Sequence, residues 1–288
     1  MTLDPPIRSL LAPNPSPLTG AGTNTWLVGA TALAVIDPGP DSPAHLAAIL
    51  GAILPGQQIS HILVTHAHLD HSALAPRLAT LTGAPVLAFG TATDGRSALM
   101  TRLAASLPAT GEGLDPGFSP DRRLADGDII TGPDWSLAAL HTPGHLGGHL
   151  CFALGAVLFS GDHVMGWSSS IVSPPDGDMG DYMASLDRLT RTSWRRFLAG
   201  HGDPVENPAQ RVQDLIAHRH LREAQILQSL ATGAATVPEL AARIYTDIPR
   251  HLLPAAERNV LSHLIDLASR TLIIATPALH PAAQFALA

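Results

Sequence analysis

The sequence contains no lysine, so all 17 of its basic residues are arginines. Its formal net charge at pH 7 is −7, and its pI is near 6.1. Nucleic-acid binding depends on neutralising phosphates with lysine and arginine, so an acidic chain without lysine is a poor electrostatic match for RNA or DNA. The charge therefore lowers the expectation of nucleic-acid binding without excluding it.

Cysteine is also scarce, because Cys151 is the only one and no disulfide can form within the chain. Cys151 lies in the apolar stretch HLCFAL, which is typical of a buried strand. No apolar run is long enough to span a bilayer, and the first twenty residues lack the basic start and unbroken apolar core of a secretory signal. From these absences we predict a protein that crosses no membrane and resides in the cytoplasm.

The first two thirds of the 288 residues alternate between apolar strands and amphipathic helices. TWLVG and ALAVID predict a hairpin, and the β-branched run HILVT predicts a buried strand. Strands that interleave with helices favour an α/β architecture. The predicted strands are 25–29, 32–37, 61–65, 85–89, 134–140, 149–154, 156–160 and 195–200, and the predicted helices are 43–50, 71–83 and 181–190.

The sequence changes character after His201, where helical periodicity dominates. Residues 209–230 form one predicted helix, a capping box from Thr236 to Glu239 begins a second, and 255–269 form a third. The β-branched run TLIIAT follows. Three helices and a short strand resemble a winged helix, so we predict two domains, 1–206 and 207–288.

The densest group of metal-binding residue types is the stretch T-H-A-H-L-D-H, which contains His66, His68, Asp70 and His71. It follows directly after a predicted buried strand, where a loop can direct several side chains at one point. Imidazole together with carboxylate suits zinc, iron or manganese. The stretch therefore predicts a metal site rather than a set of surface histidines.

Three later segments also place candidate ligands in a turn after a strand. They are HTPGHLGGH with His141, His145 and His149, SGDH with Asp162 and His163, and AGHG with His201. Of these, His141 is predicted to bond within its turn, whereas His149 and His163 are equally consistent with lining a pocket. Asp37 is equally consistent with capping its turn and with orienting a metal-binding histidine. The loop 166–178, around which Trp167 and Tyr182 lie, is a candidate for one wall of a substrate cleft.

T-H-A-H-L-D-H, H-T-P-G-H, S-G-D and A-G-H-G, in this order, resemble the motif set of the metallo-β-lactamase-fold hydrolases over residues 20–205. The resemblance implies a four-layer αββα sandwich with two divalent metal ions, most often zinc, with iron or manganese as alternatives. Matched position by position, it implies that His66, His68 and His145 bind the first metal, that Asp70, His71 and His201 bind the second, and that Asp162 bridges them.

Such a site implies hydrolysis by a metal-bound hydroxide. Two metals about 3.5–4 Å apart lower the pKa of a bound water toward roughly 7 and polarise the oxygen under attack. We therefore predict a metal-dependent hydrolase in which Asp70 and Asp162 are the catalytic carboxylates, and in which the protein supplies no serine or cysteine nucleophile.

The substrate is less constrained by the sequence. A C-terminal winged helix resembles the branch of β-lactamase-like proteins related to a mitochondrial endoribonuclease, which implies cleavage of single-stranded RNA. Residues 208–288, however, hold seven arginines against six acidic residues, which is almost no basic surplus. We therefore expect a small ester, thioester or lactone as substrate, with single-stranded RNA as the alternative and a homodimer as a possible assembly.

A third class of function is a non-enzymatic protein that binds nucleic acid or a partner and contains a structural metal site. Structural zinc sites are usually closed sets of four ligands that are rich in cysteine. Seven histidine and aspartate candidates in a chain with a single cysteine argue against this class.

Overall fold

The computed structural model describes residues 5–107, 113–247, 249 and 252–288. Its first sheet has six strands in their sequence order, β1 to β6. The first three strands are antiparallel neighbours, and β3 to β6 are parallel. Their bounds are β1 (Ile7–Leu11), β2 (Asn24–Val28), β3 (Ala32–Ile36), β4 (Gln58–Leu63), β5 (Val86–Ala88) and β6 (Arg122–Arg123).

The second sheet has five strands in the order β11-β10-β9-β8-β7. Only the β10–β11 pair is parallel. Because parallel neighbours need a crossover connection, a helix joins these two strands. Their bounds are β7 (Ile129–Thr131), β8 (Ser136–His141), β9 (Leu150–Leu154), β10 (Val157–Gly161) and β11 (Arg196–Ala199).

Side chains that alternate along the strands build three apolar layers. Trp26 and Val28 of β2 pack between the two sheets, whereas Leu27 packs against the helices α1 (Pro43–Gly51) and α3 (Ala75–Thr82). On the other sheet, Phe152 faces the inter-sheet layer and the fully buried Cys151 faces α5 (Met179–Thr190). The order is therefore helix, sheet, sheet, helix, which confirms the predicted αββα sandwich.

The C-terminal part contains α6 (Pro208–Leu230), α7 (Val237–Ile244) and α8 (Leu253–Ser269), followed by a hairpin of β12 (Ile273–Thr276) and β13 (Gln284–Leu287). The capping box at Thr236 is present. The long helix α6 belongs to two cores, because Val212 packs with the helices of the sandwich and Ile226 packs with the C-terminal helices. The boundary at residue 206 stays a prediction.

The predicted helix 71–83 is instead two helices, α2 (Leu69–Ser72) and α3, with a break before Ala75. Pro76 accounts for the break, because proline has no N–H for the carbonyl of Ser72 and its ring would clash with that carbonyl. Gly83 ends α3 in the left-handed conformation, as predicted. The sequence reading missed several short elements, among them β1, β7, β13 and α4 (Ala98–Leu103). No helix within the described ranges is long and apolar enough to cross a membrane.

Candidate metal centre

The seven predicted ligands come from separate parts of the chain and meet at one edge of the two sheets. His66, His68, Asp70 and His71 follow the parallel strand β4. Asp162 and His201 follow the parallel neighbours β10 and β11, and His145 lies between β8 and β9. The carboxyl ends of parallel strands share an edge, so these loops converge there.

The nitrogens of His66, His68 and His145 face one another at one end of the site. Nδ1 of His68 lies 3.0 Å from Nε2 of His66 and 3.2 Å from Nε2 of His145. Nδ1 of His145 donates to the carbonyl of Ile171 at 2.6 Å. Because Nδ1 carries the proton, Nε2 of His145 keeps a lone pair directed at the centre of the set.

His71, His201 and Asp70 form a second set beside the first. Nε2 of His201 lies 3.3 Å from Oδ2 of Asp70 and 3.3 Å from Nε2 of His71. The outer nitrogen of each ring is fixed by a hydrogen bond, since Nδ1 of His71 donates to Asp37 and Nδ1 of His201 donates to the carbonyl of Gly22. Both Nε2 atoms are thereby left for a cation.

The carboxylate of Asp162 lies between the two sets. Its Oδ2 is 3.2 Å from Nε2 of His201 and 3.9 Å from Nε2 of His145, and its Oδ1 is 3.5 Å from Nε2 of His71. Oδ1 is buried and accepts no hydrogen bond from any residue that the structure describes. Buried oxygens are normally satisfied, so this unpaired atom fits a bound cation, as does the nitrogen and oxygen donor set around it.

The rings of His66 and His68 are held neutral. Burial, together with the neighbouring His71, lowers the pKa of His66 well below its ordinary value. Burial beside His145 lowers the pKa of His68 to about 3. Neutral imidazole is the form that binds a metal.

The second set carries charge of both signs. Burial alone would raise the pKa values of Asp70 in this set and of the neighbouring Asp162. The imidazoles of His201 and His71 instead hold the pKa of Asp162 well below its usual range, and they hold that of Asp70 at about 2. In return, Asp162 outweighs burial and raises the pKa of His201 to about 10. Two ionised carboxylates therefore converge here, and a divalent cation would displace the protons of the rings.

Asp37 lies behind this site and orients it. Its Oδ2 accepts from Nδ1 of His71 at 2.9 Å and from the hydroxyl of Thr65 at 2.7 Å. Of the two predicted roles for Asp37, these bonds support the orienting one. The hydroxyl of Thr65 has only one proton, which goes to Asp37, so it accepts from Nδ1 of His66, 3.0 Å away. One carboxylate thus orients a ring in each set.

The remaining histidine candidates do not reach the site. Nε2 of His141 lies 2.8 Å from the carbonyl oxygen of Gly147, so this histidine bonds within its own turn, as predicted. His149 and His163 are fully buried behind the ligands and do not line the cleft. Tyr182, beside the loop that was predicted to form a wall, is likewise fully buried and does not line the cleft.

The cleft above the ligands is bounded by Pro17, Leu18, Met165, Trp167 and Ile171, with Ser168 and Ser169. Trp167 lies in the wall, as predicted, and 46% of its surface is exposed. A Cβ atom on Gly202 would lie 2.4 Å from this ring, so the close approach of Trp167 to the His201 turn requires glycine. The sequence reading missed Pro17 and Leu18, which come from a proline-containing turn more than a hundred residues away.

Fold and site together define a metal-dependent hydrolase with an appended winged helix. The profile of the Metallo-beta-lactamase superfamily matches residues 18–201, and that of the Beta-lactamase associated winged helix domain matches residues 236–278. The chain belongs to the metallo-beta-lactamase superfamily.

Similar proteins extend over nearly the whole chain. A Beta-lactamase-like protein 2 homolog from Drosophila melanogaster is 32% identical over 270 residues, which cover 90% of this chain and 86% of that protein. An Atrochrysone carboxyl ACP thioesterase from Aspergillus fumigatus is 28% identical over 266 residues, covering 86% and 76%. The crystal structure of a metallo-beta-lactamase family protein from Thermus thermophilus has a TM-score of 0.76 at 25% identity and covers 98% of both chains.

Proposed function

We propose that this chain binds two divalent metal ions, most readily zinc, and hydrolyses a small ester, thioester or lactone with an apolar acyl group. Among these substrates a thioester is placed first, because one similar protein is named as a thioesterase. At this site the two metals would lower the pKa of a water molecule and polarise the carbonyl under attack.

The observation that carries the proposal is the lining of the cleft. Its walls are apolar, with Leu18, Met165, Trp167 and Ile171 around the carboxylates and imidazoles. No arginine is present among the described residues that line it. The metals would supply the charge at the reacting bond itself, but the flanking phosphates of RNA and the carboxylate of a β-lactam are usually paired with arginine or lysine beside the metals. An uncharged acyl group fits this cleft better.

The residues around the site have separable tasks in this proposal. His66, His68 and His145 would hold one metal, and Asp70, His71 and His201 would hold the other. Asp162 would contact both and keep their spacing. Trp167 and Leu18 would pack against the acyl chain, which excludes bulk water from the reacting bond and orients it. Asp70, partly exposed to the cleft, would be the carboxylate nearest the substrate.

The test is a chain-length series of acyl thioesters with a small thiol leaving group, measured by release of the free thiol from metal-loaded protein. Each buried methylene contributes about 0.8 kcal/mol, so kcat/KM should rise roughly fourfold per methylene until the cleft is filled. Fluorescent single-stranded RNA is offered in parallel at the same protein concentration.

Two variants accompany the series. Asp162→Asn should lower turnover by roughly 100-fold or more. Asp121→Asn should leave it unchanged, because Asp121 accepts from the backbone N–H of Val86 at 2.8 Å and does not line the cleft. Cleavage of RNA without cleavage of any thioester or ester would overturn the proposal in favour of the endonuclease. If the metal-loaded protein cleaves neither the acyl substrates nor RNA, the proposal that it hydrolyses an acyl group is wrong.

A further inference from the structure

The loop between β10 and α5 contains a backbone carbonyl that determines how one candidate ligand faces the metal. Nδ1 of His145 donates to the carbonyl of Ile171 at 2.6 Å, and Ile171 also lines the cleft. If this carbonyl moved, the ring of His145 would lose the bond that keeps its proton on Nδ1 and its Nε2 toward His68. The position of residues 170–172 therefore bears directly on the first set of ligands.

The C-terminal helices hold the backbone on both sides of Ile171. Arg219 of α6 donates to the carbonyl of Ser170, and the backbone N–H of Val172 donates to Oδ1 of Asn259 on α8 at 3.5 Å. Arg219 also donates to the same Oδ1 at 3.2 Å, so the two side chains brace each other. Two helices outside the αββα sandwich thus hold the backbone on both sides of Ile171, in addition to the hydroxyl of Ser170, which donates to the carbonyls of Asp162 and His163.

Arg211, about two turns earlier on α6, holds the start of the same loop by donating to the carbonyls of Met165 and Ser168 at 2.7 Å each. Arg219 is 2% exposed and lies 5.2 Å from the ring of Tyr182. No carboxylate pairs with it within the part of the chain that the structure describes. A buried cation with only neutral acceptors is costly, so Arg219 is poorly explained as a contribution to stability.

We propose that Arg219 and Asn259 are positioning residues for the metal ligand His145, acting through the carbonyl of Ile171. The C-terminal helices are then a structural part of the metal centre, in addition to any contact they make with substrate. This inference rests on the metal-binding role proposed above for His145.

The test compares metal affinity, measured by competition with a chromogenic chelator, in three variants. Arg219→Met removes the guanidinium but keeps most of the stem, and Asn259→Ala removes the second brace. The matched control is Arg222→Met, because Arg222 lies about one turn further along α6 and contacts Gln225 and the ring of Tyr245 rather than the loop.

We expect metal affinity to fall about tenfold in Arg219→Met, which is the lower end of the effects seen when a group that orients a metal ligand is removed. Asn259→Ala should show a smaller loss, because its contact with Val172 is longer. Arg222→Met should bind metal as the wild type does. Arg219→Lys should recover part of the loss, since an ammonium can still donate to the carbonyl of Ser170.

Unchanged metal affinity in both Arg219→Met and Asn259→Ala would overturn the inference, and so would an equal loss in Arg222→Met. If Arg219→Met does not fold, as judged by circular dichroism of the metal-free protein, Asn259→Ala decides the question. A further check uses His145→Ala, in which Asn259→Ala should no longer change the remaining affinity. If the wild-type protein binds no metal, the proposed function itself is wrong. This result can be told apart from a failure of the positioning role of Arg219 and Asn259, which requires a wild type that does bind metal.

Discussion

Replacing Asp37 with asparagine should weaken metal binding by the Asp70–His71–His201 set by about 10–100-fold, or roughly 1.4–2.7 kcal/mol. Asp37 is almost fully buried, and its two oxygens accept three hydrogen bonds. Oδ1 accepts from the backbone N–H of Thr65 at 2.7 Å, and Oδ2 accepts from the hydroxyl of Thr65 and from Nδ1 of His71. The side chain at position 37 must therefore be the acceptor in all three bonds.

An asparagine must place its NH₂ group at one of these two positions. At the position of Oδ2, the NH₂ group would require Nδ1 of His71 to accept, so the ring proton would move to Nε2 and remove the lone pair meant for the metal. At the position of Oδ1, it would face the backbone N–H of Thr65, and two opposed buried donors cost about 1–3 kcal/mol. The substitution should not strain the backbone, because Asp37 has a φ of 51°, which asparagine adopts readily.

The assay is a chelator competition that resolves two binding events, combined with metal analysis of the purified protein. The matched control is Asp134→Asn, because Asp134 also accepts from a backbone N–H, that of Ala30, but does not contact a candidate ligand. The expected result is a larger loss in the binding event that depends on His71 and a smaller loss in the other, because the Thr65 hydroxyl links Asp37 to Nδ1 of His66. If Asp37→Asn binds both metals with wild-type affinity, the argument that Asp37 fixes the proton on Nδ1 of His71 is wrong.

Three further outcomes follow from the same structure. Asp162→Asn should reduce the bound metal below two ions and lower turnover by roughly 100-fold or more, because the carboxylate of Asp162 faces both sets of ligands. Intact metal content and turnover would contradict the bridging role of Asp162. Trp167→Ala should raise KM for apolar acyl substrates by about tenfold without changing metal content, since it removes wall area but no ligand; a loss of metal would show that the ring supports the site instead. Burial raises the pKa of the Cys151 thiol to about 12. Iodoacetamide at pH 8 should therefore modify this thiol only when the chain unfolds. Modification of the native protein at the rate of a free thiol would refute this.

The local part of the candidate site could be predicted from the sequence. His66, His68, Asp70 and His71 lie within six residues after a β-branched strand, so local geometry already brings them together. The α/β class could be predicted for a similar reason, because buried strands and amphipathic helices are recognisable from their periodicity. The four-layer arrangement was implied by the resemblance to the metallo-β-lactamase fold. The short edge strands β1 and β7 could not, since a few half-buried residues carry little periodic signal.

The division at Pro76 shows where local patterns mislead. Residues 71–83 have helical spacing throughout, yet the missing N–H of one proline separates α2 from α3. His149 and His163 show the converse difficulty. They are sequence neighbours of the site segments but lie behind the ligands, where Nε2 of His149 accepts from the backbone N–H of Asp162.

By itself, the sequence determined the chemical nature of the centre, because the residue types and their order after successive strands are local properties. Only the tertiary structure decided what surrounds that centre. Leu18 and Trp167 meet across nearly 150 residues to form the cleft, and Arg219 and Asn259 reach from the C-terminal helices to the backbone on either side of Ile171. The physical reason is that a ligand's identity is carried by one side chain, whereas its orientation depends on backbone groups that only packing brings within hydrogen-bonding distance.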